Sequence, residues 1–326
     1  MNVLIYHDSV IPAFRYGGTQ RVIWSLGKEL VRLGHKVTFL CRKGSECDFA
    51  RVLHIDPSLR IEEQIPDDID VVHFNGEVFP CKGKPYIVTY HGNFMSGKLD
   101  RNAVFVSANH AARYGSRSFV YNGLDWSEYG KVCLSERKTY WHFLGKAAWS
   151  VKNVRGAIDV VRRIPKARLY VLGGYRFNFK MGLRFTLTPK ARFCGMIGGE
   201  EKLEILRHSA GLIFPVIWDE PFGLAMTESL YFGAPVFGTP YGSLPEIVTS
   251  DVGFLTDSAS EMADRIIHGP EFNPAVCHEY AADKFNSQVM AHEYLKKYET
   301  VLSGQCLNSV EPQAVRPDAR KLPWHK

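Results

Sequence analysis

Two glutamates stand eight residues apart in the segment FPVIWDEPFGLAMTESLYFGAPVFGTPYGSLPEIV, which runs from Phe214 to Val248. The stretch between Glu220 and Glu228 predicts a helix over Phe222 to Phe232. Pro221 suits its first turn, where a missing N–H costs nothing, and Gly233 suits a left-handed stop. The apolar runs that flank it, one ending at Phe214 and one over Val236–Gly238, read as buried strands. A helix that opens at the end of a strand is an anion site, because its unsatisfied N–H groups and positive dipole end favour phosphate. Phe222, Gly223 and Leu224 would supply those amides, with Glu220 beside them. Glu228 lies about six residues further on, roughly 9 Å along the axis at 1.5 Å per residue. One acid near a phosphate and another a short helix away could grip the two sugars that flank a diphosphate.

These side chains need a frame, and the apolar pattern supplies one. Strands are predicted at Val3–Tyr6, Lys36–Cys41, Val71–Phe74, Tyr86–Tyr90, Ala103–Val106 and Phe119–Tyr121, with helices at Thr19–Leu33 and Asn109–Tyr114. A second series follows: strand Trp141–Leu144, helix Asn153–Ile164, strands Arg168–Leu172 and Ala191–Phe193, helix Glu200–His208, strand Gly211–Phe214 and helix Ser258–Ile267. Short apolar runs alternating with helices imply a parallel sheet covered on both faces, twice over. The fold class is therefore α/β, two doubly wound Rossmann-like domains: residues 1–135 and 136–286, joined near Glu128–Lys138. Open α/β sheets place ligands beyond the carboxyl ends of their strands, so a central cleft is the expected site. A helix at Ser287–Leu302 follows. Residues 303–326, with three prolines and little apolar content, read as a flexible tail.

Two further features sit at strand ends. Tyr16-Gly17-Gly18 follows the first strand and precedes a helix, where glycines let backbone N–H groups approach a phosphate or substrate. It is not G-x-G-x-x-G, so a dinucleotide reading has no support. His91 ends the strand Tyr86–Tyr90, where an imidazole could bond a sugar hydroxyl or stabilise charge near a reacting carbon. His73, at another strand end, reads as packing or acceptor positioning.

The bulk numbers exclude several classes. The 326 residues are 45% hydrophobic and 23% charged, as in an ordinary globular protein. The net charge of +6 is spread along the chain and accompanies no nucleic-acid motif. Seven cysteines are scattered without a C-x-x-C pair, which predicts reduced thiols in a cytoplasmic compartment. No apolar run approaches membrane-spanning length, so any contact with a membrane is expected to be peripheral.

In this context the glutamate pair is similar to the E-x7-E motif of retaining glycosyltransferases with the GT-B fold. EPFGLAMTES resembles family 4 of that group, and FCGMIGGEEKLEILRHSAGLIFP, GAPVFGTPYGSLPEIV and DVGFLTD resemble the same family's second domain. The resemblance runs from about Val3 to about Leu302. It implies transfer of a sugar from a nucleotide diphosphate sugar to a glycan, glycolipid or other acceptor, as in polysaccharide or lipopolysaccharide assembly. It also implies that the C-terminal helix crosses back to the first domain.

Residue by residue, the resemblance puts Glu220 on hydroxyls of the transferred sugar and Glu228 on the ribose. Lys146 and Lys152 match a basic pair that holds the diphosphate, with Lys146 where the family usually has arginine. Gly17 and Gly18 meet the diphosphate from the first domain, His91 lies beside the donor sugar, and Phe193–Met196 packs on the base. Tyr16 and Arg21 fall on the acceptor side. Asn122-Gly123-Leu124-Asp125 resembles a structural turn ahead of the hinge. Asp68-Ile69-Asp70 is formally a metal-binding D-x-D, but it precedes a strand instead of closing one, so it reads as a solvated turn. No cofactor and no divalent metal are expected. Two alternatives remain at this stage: a nucleotide-sugar epimerase or phosphorylase-type enzyme on the same architecture, and an inactive nucleotide-sugar-binding subunit.

Overall fold

The computed structural model describes residues 1–13, 17–94, 97–135, 139–178, 184–315 and 321–326. The chain forms two compact units, the first from residues 1–13, 17–126 and 285–318, the second chiefly from residues 127–284 and 319–326.

In the first unit the order is β1 (Asn2–His7), α1 (Gly18–Arg32), β2 (Lys36–Cys41), β3 (Arg51–His54), β4 (Val71–Asn75), β5 (Tyr86–Tyr90), β6 (Ala103–Phe105) and α2 (Ala108–Arg113). The six strands make one parallel sheet ordered β3-β2-β1-β4-β5-β6. Val3, Leu4 and Ile5 have no accessible surface, as expected for a central strand covered on both faces. Strand order reverses between β1 and β4, so their carboxyl ends at His7 and Asn75 flank the switch point. The predicted strand at Phe119–Tyr121 does not form: Phe119 makes a single bridge to Phe105. Asp70 precedes β4, where its Oδ2 accepts from the Asn2 amide at 2.7 Å. Asp125 closes its turn structurally, pairing with Lys28 at 2.8 Å and Arg32 at 3.1 Å.

The second unit runs β7 (Tyr140–Leu144), α3 (Val154–Arg163), β8 (Arg168–Leu172), the antiparallel pair β9 (Phe177–Asn178) and β10 (Arg184–Phe185), β11 (Ala191–Phe193), α4 (Gly199–His208), β12 (Leu212–Phe214), α5 (Leu224–Tyr231), β13 (Val236–Gly238), α6 (Leu244–Ile247), β14 (Gly253–Leu255), α7 (Ala259–His268) and α8 (Pro274–Lys284). Its parallel sheet is ordered β11-β8-β7-β12-β13-β14, with the switch between β7 and β12. Val154, Ala157, Ile158 and Val161 recur at helical spacing on α3 and bury against Phe143, Leu169, Val171 and Ile213. Asn153 caps that helix, its Oδ1 accepting from the Gly156 amide at 3.0 Å.

The last helix, α9 (Ser287–Leu302), belongs to the first unit. A buried polar chain ties it to the sheet. Tyr298 Oη bonds His73 Nδ1 at 2.8 Å, His73 Nε2 bonds Thr89 Oγ1 at 2.8 Å, and Thr89 bonds Tyr294 Oη at 2.9 Å. His73 is thus a packing residue with both ring nitrogens satisfied.

The expectation of a flexible tail is corrected by the residues described beyond Ser303. Asn308 Nδ2 donates to the Arg101 and Ala103 carbonyls at 3.0 Å each, and Leu99 N–H donates to Pro312 at 2.7 Å. Val315 N–H donates to Arg113 at 2.9 Å. Composition misleads here because a short extended segment needs no core of its own. It borrows backbone partners from the edge it lies along.

Burial also sets an acid response. His73 and His110 have almost no accessible surface, and desolvation pushes each down to about 3. The unfolded chain titrates them near 6.5, so above that pH neither state carries the proton. Below it the unfolded chain takes up protons that the native state refuses, and stability is lost progressively as pH falls towards 3. Urea midpoints followed by tryptophan fluorescence should therefore drop between about pH 7 and about pH 5. His110→Phe, whose ring would sit against Phe105 and Tyr114, should flatten that dependence. An identical slope in the variant would count against His110 as a source.

Candidate functional site

The second unit gathers its chemistry at the carboxyl ends of β7 and β12, on either side of the switch point. After β12 the chain turns through Pro215–Asp219 and delivers Glu220, only 5% exposed, into the interior. After β7 it runs through Gly145 and Lys146 to a 3-10 turn at Ser150–Lys152. Lys152, itself 9% exposed, reaches Glu220 Oε2 with its Nζ at 2.6 Å. Trp218 Nε1–H donates to the same oxygen at 2.7 Å. The ammonium group also lies over the rings of Phe214 at 5.3 Å and Trp218 at 5.1 Å, contacts that favour a cation.

The strands hold these loops in register through backbone bonds. Ile217 N–H donates to Val151 at 2.8 Å, which stitches the Glu220 loop to the Lys152 loop. On the other side, Ser243 N–H donates to the Glu220 carbonyl at 2.9 Å, and Ser243 Oγ–H donates to the Phe222 carbonyl at 2.8 Å. Gly242 makes the approach feasible, since a Cβ there would stand 2.2 Å from the Glu220 nitrogen.

The helix after Glu220 starts later than the sequence predicts. Pro221 and Phe222 are buried but lie outside it, and α5 begins at Leu224, with Gly223 as N-cap at φ +85. A left-handed residue is needed to turn the chain into the helix axis, and glycine adopts it without a Cβ clash. Gly223 provides no side chain to cap the first turn; the Met226 amide bonds the Gly223 carbonyl at 2.9 Å, and the amides before it can face an anion. Gly233, at φ +72, ends the helix as expected.

Lys146 stands apart from the buried pair. Its Nζ lies over the Trp149 ring at 5.4 Å, and Trp149 packs edge-on against Trp218 at 6.3 Å. The two lysines therefore flank one tryptophan pair. Met196 follows β11, half-buried beyond the left-handed Gly195.

Glu228 is placed differently from Glu220. It lies on α5 with 1% of its surface exposed, and its Oε1 takes Lys202 Nζ at 2.5 Å and Tyr129 Oη–H at 2.9 Å. Lys202, from α4, is itself buried and lies over the Tyr129 ring at 5.5 Å. Each glutamate thus has its own lysine and its own aromatic donor. Sequence reasoning found both acids and Lys152, but missed Lys202, Tyr129 and Trp218. An aromatic two positions before Glu220 was the one available signal, since Lys202 falls in a run of charges that reads as a solvated face.

In the first unit, Gly17 is the N-cap of α1 and Gly18 its first residue. A Cβ on Gly17 would lie 2.7 Å from that of Ala13, so the close backbone approach requires glycine. Arg21 lies in the first turn of α1, its N–H bonded to the Gly17 carbonyl at 3.2 Å. Tyr16 falls outside the described residues. His91 follows β5, and its partner Asn75 ends the neighbouring β4. Asn75 Nδ2 donates to the Tyr6 carbonyl at 3.1 Å, which leaves Oδ1 to accept from His91 Nε2–H at 2.8 Å. That network puts the proton on Nε2 and keeps Nδ1 as an acceptor. Desolvation, with His7 nearby, pushes His91 down to about 3. The ring is neutral at physiological pH.

Among the described residues no group of three or more His, Cys, Asp and Glu side chains could hold a metal ion, and no helix is long and apolar enough to cross a membrane. Ammonium groups and open helix amides at the end of a parallel sheet can receive a diphosphate, and a buried carboxylate beside them can accept sugar hydroxyls. Two doubly wound Rossmann-like units are the architecture of the GT-B fold. Residues 138–269 match the family model for glycosyl transferases group 1, and residues 16–126 match that for glycosyltransferase family 4. The chain belongs to the group 1, family 4 glycosyltransferases.

Solved structures share the fold. AviGT4, a glycosyltransferase involved in avilamycin A biosynthesis, superposes with a TM-score of 0.73 at 22% identity, covering 93% of this chain and 98% of that one. A glycosyltransferase from Rickettsia africae gives 0.71 at 14% identity, over 93% and 99%. HepE from Anabaena, in complex with UDP and glucose, gives 0.64 at 13% identity, over 92% and 100%. A search of curated proteins returns no match.

Proposed function

We propose that this transferase moves a sugar, with retention of its anomeric configuration, from a nucleotide diphosphate sugar to a hydroxyl of a glycan or glycolipid. One observation carries the reading: Lys152 and Glu220 form a buried pair at the β7/β12 switch, with the half-buried Trp218 on the same carboxylate, next to the start of α5, which has no side-chain cap. The bond from the anomeric carbon to the diphosphate oxygen breaks, and the acceptor oxygen forms the new bond on the same face. The acceptor's proton passes to the departing phosphate oxygen. Charge grows on that leaving group, and Lys152, Lys146 and the α5 amides at Gly223 and Leu224 stabilise it. Glu220 positions the transferred sugar through its hydroxyls, and Glu228 binds the ribose. Met196 packs on the base. In the first unit, Gly17 and Gly18 offer amides, His91 Nδ1 accepts from a sugar hydroxyl, and Arg21 with Tyr16 serves the acceptor.

HepE was crystallised with UDP and glucose, so a uridine diphosphate hexose heads the donor panel. A donor that binds only the folded chain raises its melting temperature with concentration. Proton NMR of the product then reads the anomer, and an inverted product would exclude retention. Because lysines and helix amides offset the diphosphate charge, no divalent metal is required. EDTA should leave the rate unchanged, whereas a loss reversed by magnesium would overturn metal independence.

A further inference from the structure

The last six residues, Lys321–Lys326, lie in the second unit against the two loops that hold Glu220. Leu322 N–H donates to the Ile217 carbonyl at 2.8 Å. Ile217 is the residue whose own N–H is bonded to Val151, so one residue links the tail, the Glu220 loop and the Lys152 loop. The next residue, Pro323, accepts from Tyr241 Oη–H at 2.9 Å. Tyr241 immediately precedes Gly242 and Ser243, the residues that clasp the Glu220 backbone. Burial and the Asp257 carboxylate, 3.2 Å away, raise the Tyr241 hydroxyl to about 12, which keeps it protonated as a donor.

The indole of Trp324 packs on the core that α3 shares with the sheet. A Cβ on Gly156 would stand 2.9 Å from Trp324 Cε2, so glycine in the first turn of α3 makes room for the ring. The same point lies 2.4 Å from Nδ2 of Asn153, the residue after Lys152. Asn153 Nδ2 in turn donates to the Pro215 carbonyl at 3.0 Å. Finally, His325 N–H donates to Asp257, and its carbonyl accepts from the Ala259 amide, both at 2.8 Å.

We infer that Leu322–His325 is a positioning clamp for the catalytic pair, with Trp324 as its anchor, which fixes the Ile217–Glu220 and Tyr241–Ser243 loops so that Lys152 and Glu220 meet the donor correctly. The clamp rests on the proposed reaction for its kinetic consequence but not for its structural one. Misplacement of about 1 Å at a reacting group can cost up to about 10²-fold in rate. A chain ending at residue 320, and Trp324→Ala in the full chain, should each lose about 10- to 100-fold in kcat, with the donor KM changed by less than about threefold. Trp324→Phe, which keeps an aromatic anchor, should recover most of the rate, and the free peptide KLPWHK should restore the truncated chain.

Amide exchange provides an arm that needs no activity. Ile217 and Ser243 amides should exchange at least about tenfold faster in the truncated chain, while those of β8 stay protected. Wild-type chain inactive with every donor would defeat the proposed reaction and leave the exchange result to decide the clamp. Unchanged exchange at Ile217 and Ser243 would overturn the clamp, as would unchanged kcat in an active enzyme. Uniform loss of protection across the unit, unrelieved by Trp324→Phe or the peptide, would overturn it too, because the tail would then merely support the fold.

Discussion

Lys152→Ala is expected to lower kcat/KM for a nucleotide diphosphate sugar by about 10²–10³-fold, the loss typical when one preorganised donor to a developing negative charge is removed. Two effects combine. The leaving diphosphate loses a positive charge held in a nearly dry setting, where it is worth far more than in water. Glu220 meanwhile loses its cation and keeps only the Trp218 indole on Oε2. Steady-state kinetics should place most of the loss in kcat, because the charge matters most as the bond breaks. Lys152→Arg keeps the charge but brings a broad planar fork to a point-charge position, so it should recover the rate only in part. Lys146→Ala, at a half-buried site over Trp149 where solvent screens the charge, should cost less, about tenfold or about 1.4 kcal/mol. An alanine variant at Lys152 within about threefold of wild type would sink the assignment of this lysine to the leaving group.

Lys202→Met should destabilise the fold by about 3–5 kcal/mol, because it leaves a desolvated carboxylate without its ion-pair partner. Glu228 has 1% of its surface exposed, so bulk water screens the remaining charge poorly. For a chain of this size the melting temperature should fall on the order of 10 °C. Adding Glu228→Gln to Lys202→Met removes the stranded charge, and much of the loss should return. A double-mutant cycle measures that coupling directly. Purely additive effects would mean that the 2.5 Å contact contributes little. Donor binding gives an independent reading. Glu228→Ala should weaken it, whereas Glu220→Ala should act mainly on turnover.

Most of the frame was legible because buried parallel strands leave an unmistakable mark. Val3–Tyr6, Val71–Phe74 and Arg168–Leu172 are apolar runs with little polar alternation, as strands covered on both faces must be. The short strands β3 and β14 were not read: RVLH has only two apolar residues between charged or polar ends, and GFL opens on glycine and ends at Thr-Asp. α8 was missed for a related reason: its apolar residues do not fall on one face. The late start of α5 came from giving Pro221 the role it commonly plays, when Gly223 supplies the turn instead.

At the site, Glu220, Glu228 and Lys152 could be named from one sequence because a motif fixes their spacing. Their partners could not. Lys202 reaches Glu228 from a different helix, and nothing in GEEKLEIL distinguishes the lysine that turns inward from glutamates that stay in water. Asn75, which sets the His91 tautomer, is a strand-end polar residue like many others. Pairings between distant segments are properties of the assembled sheet, and a linear pattern carries no trace of them.

The route of the chain has a practical corollary for anyone transplanting the half built on the second sheet into a chimera. That half is not a continuous stretch: a graft cut at Ser127 and Lys284 omits the indole that fills the space above Gly156. Recombinant hybrids of this transferase should carry Lys321–Lys326 as a fused extension.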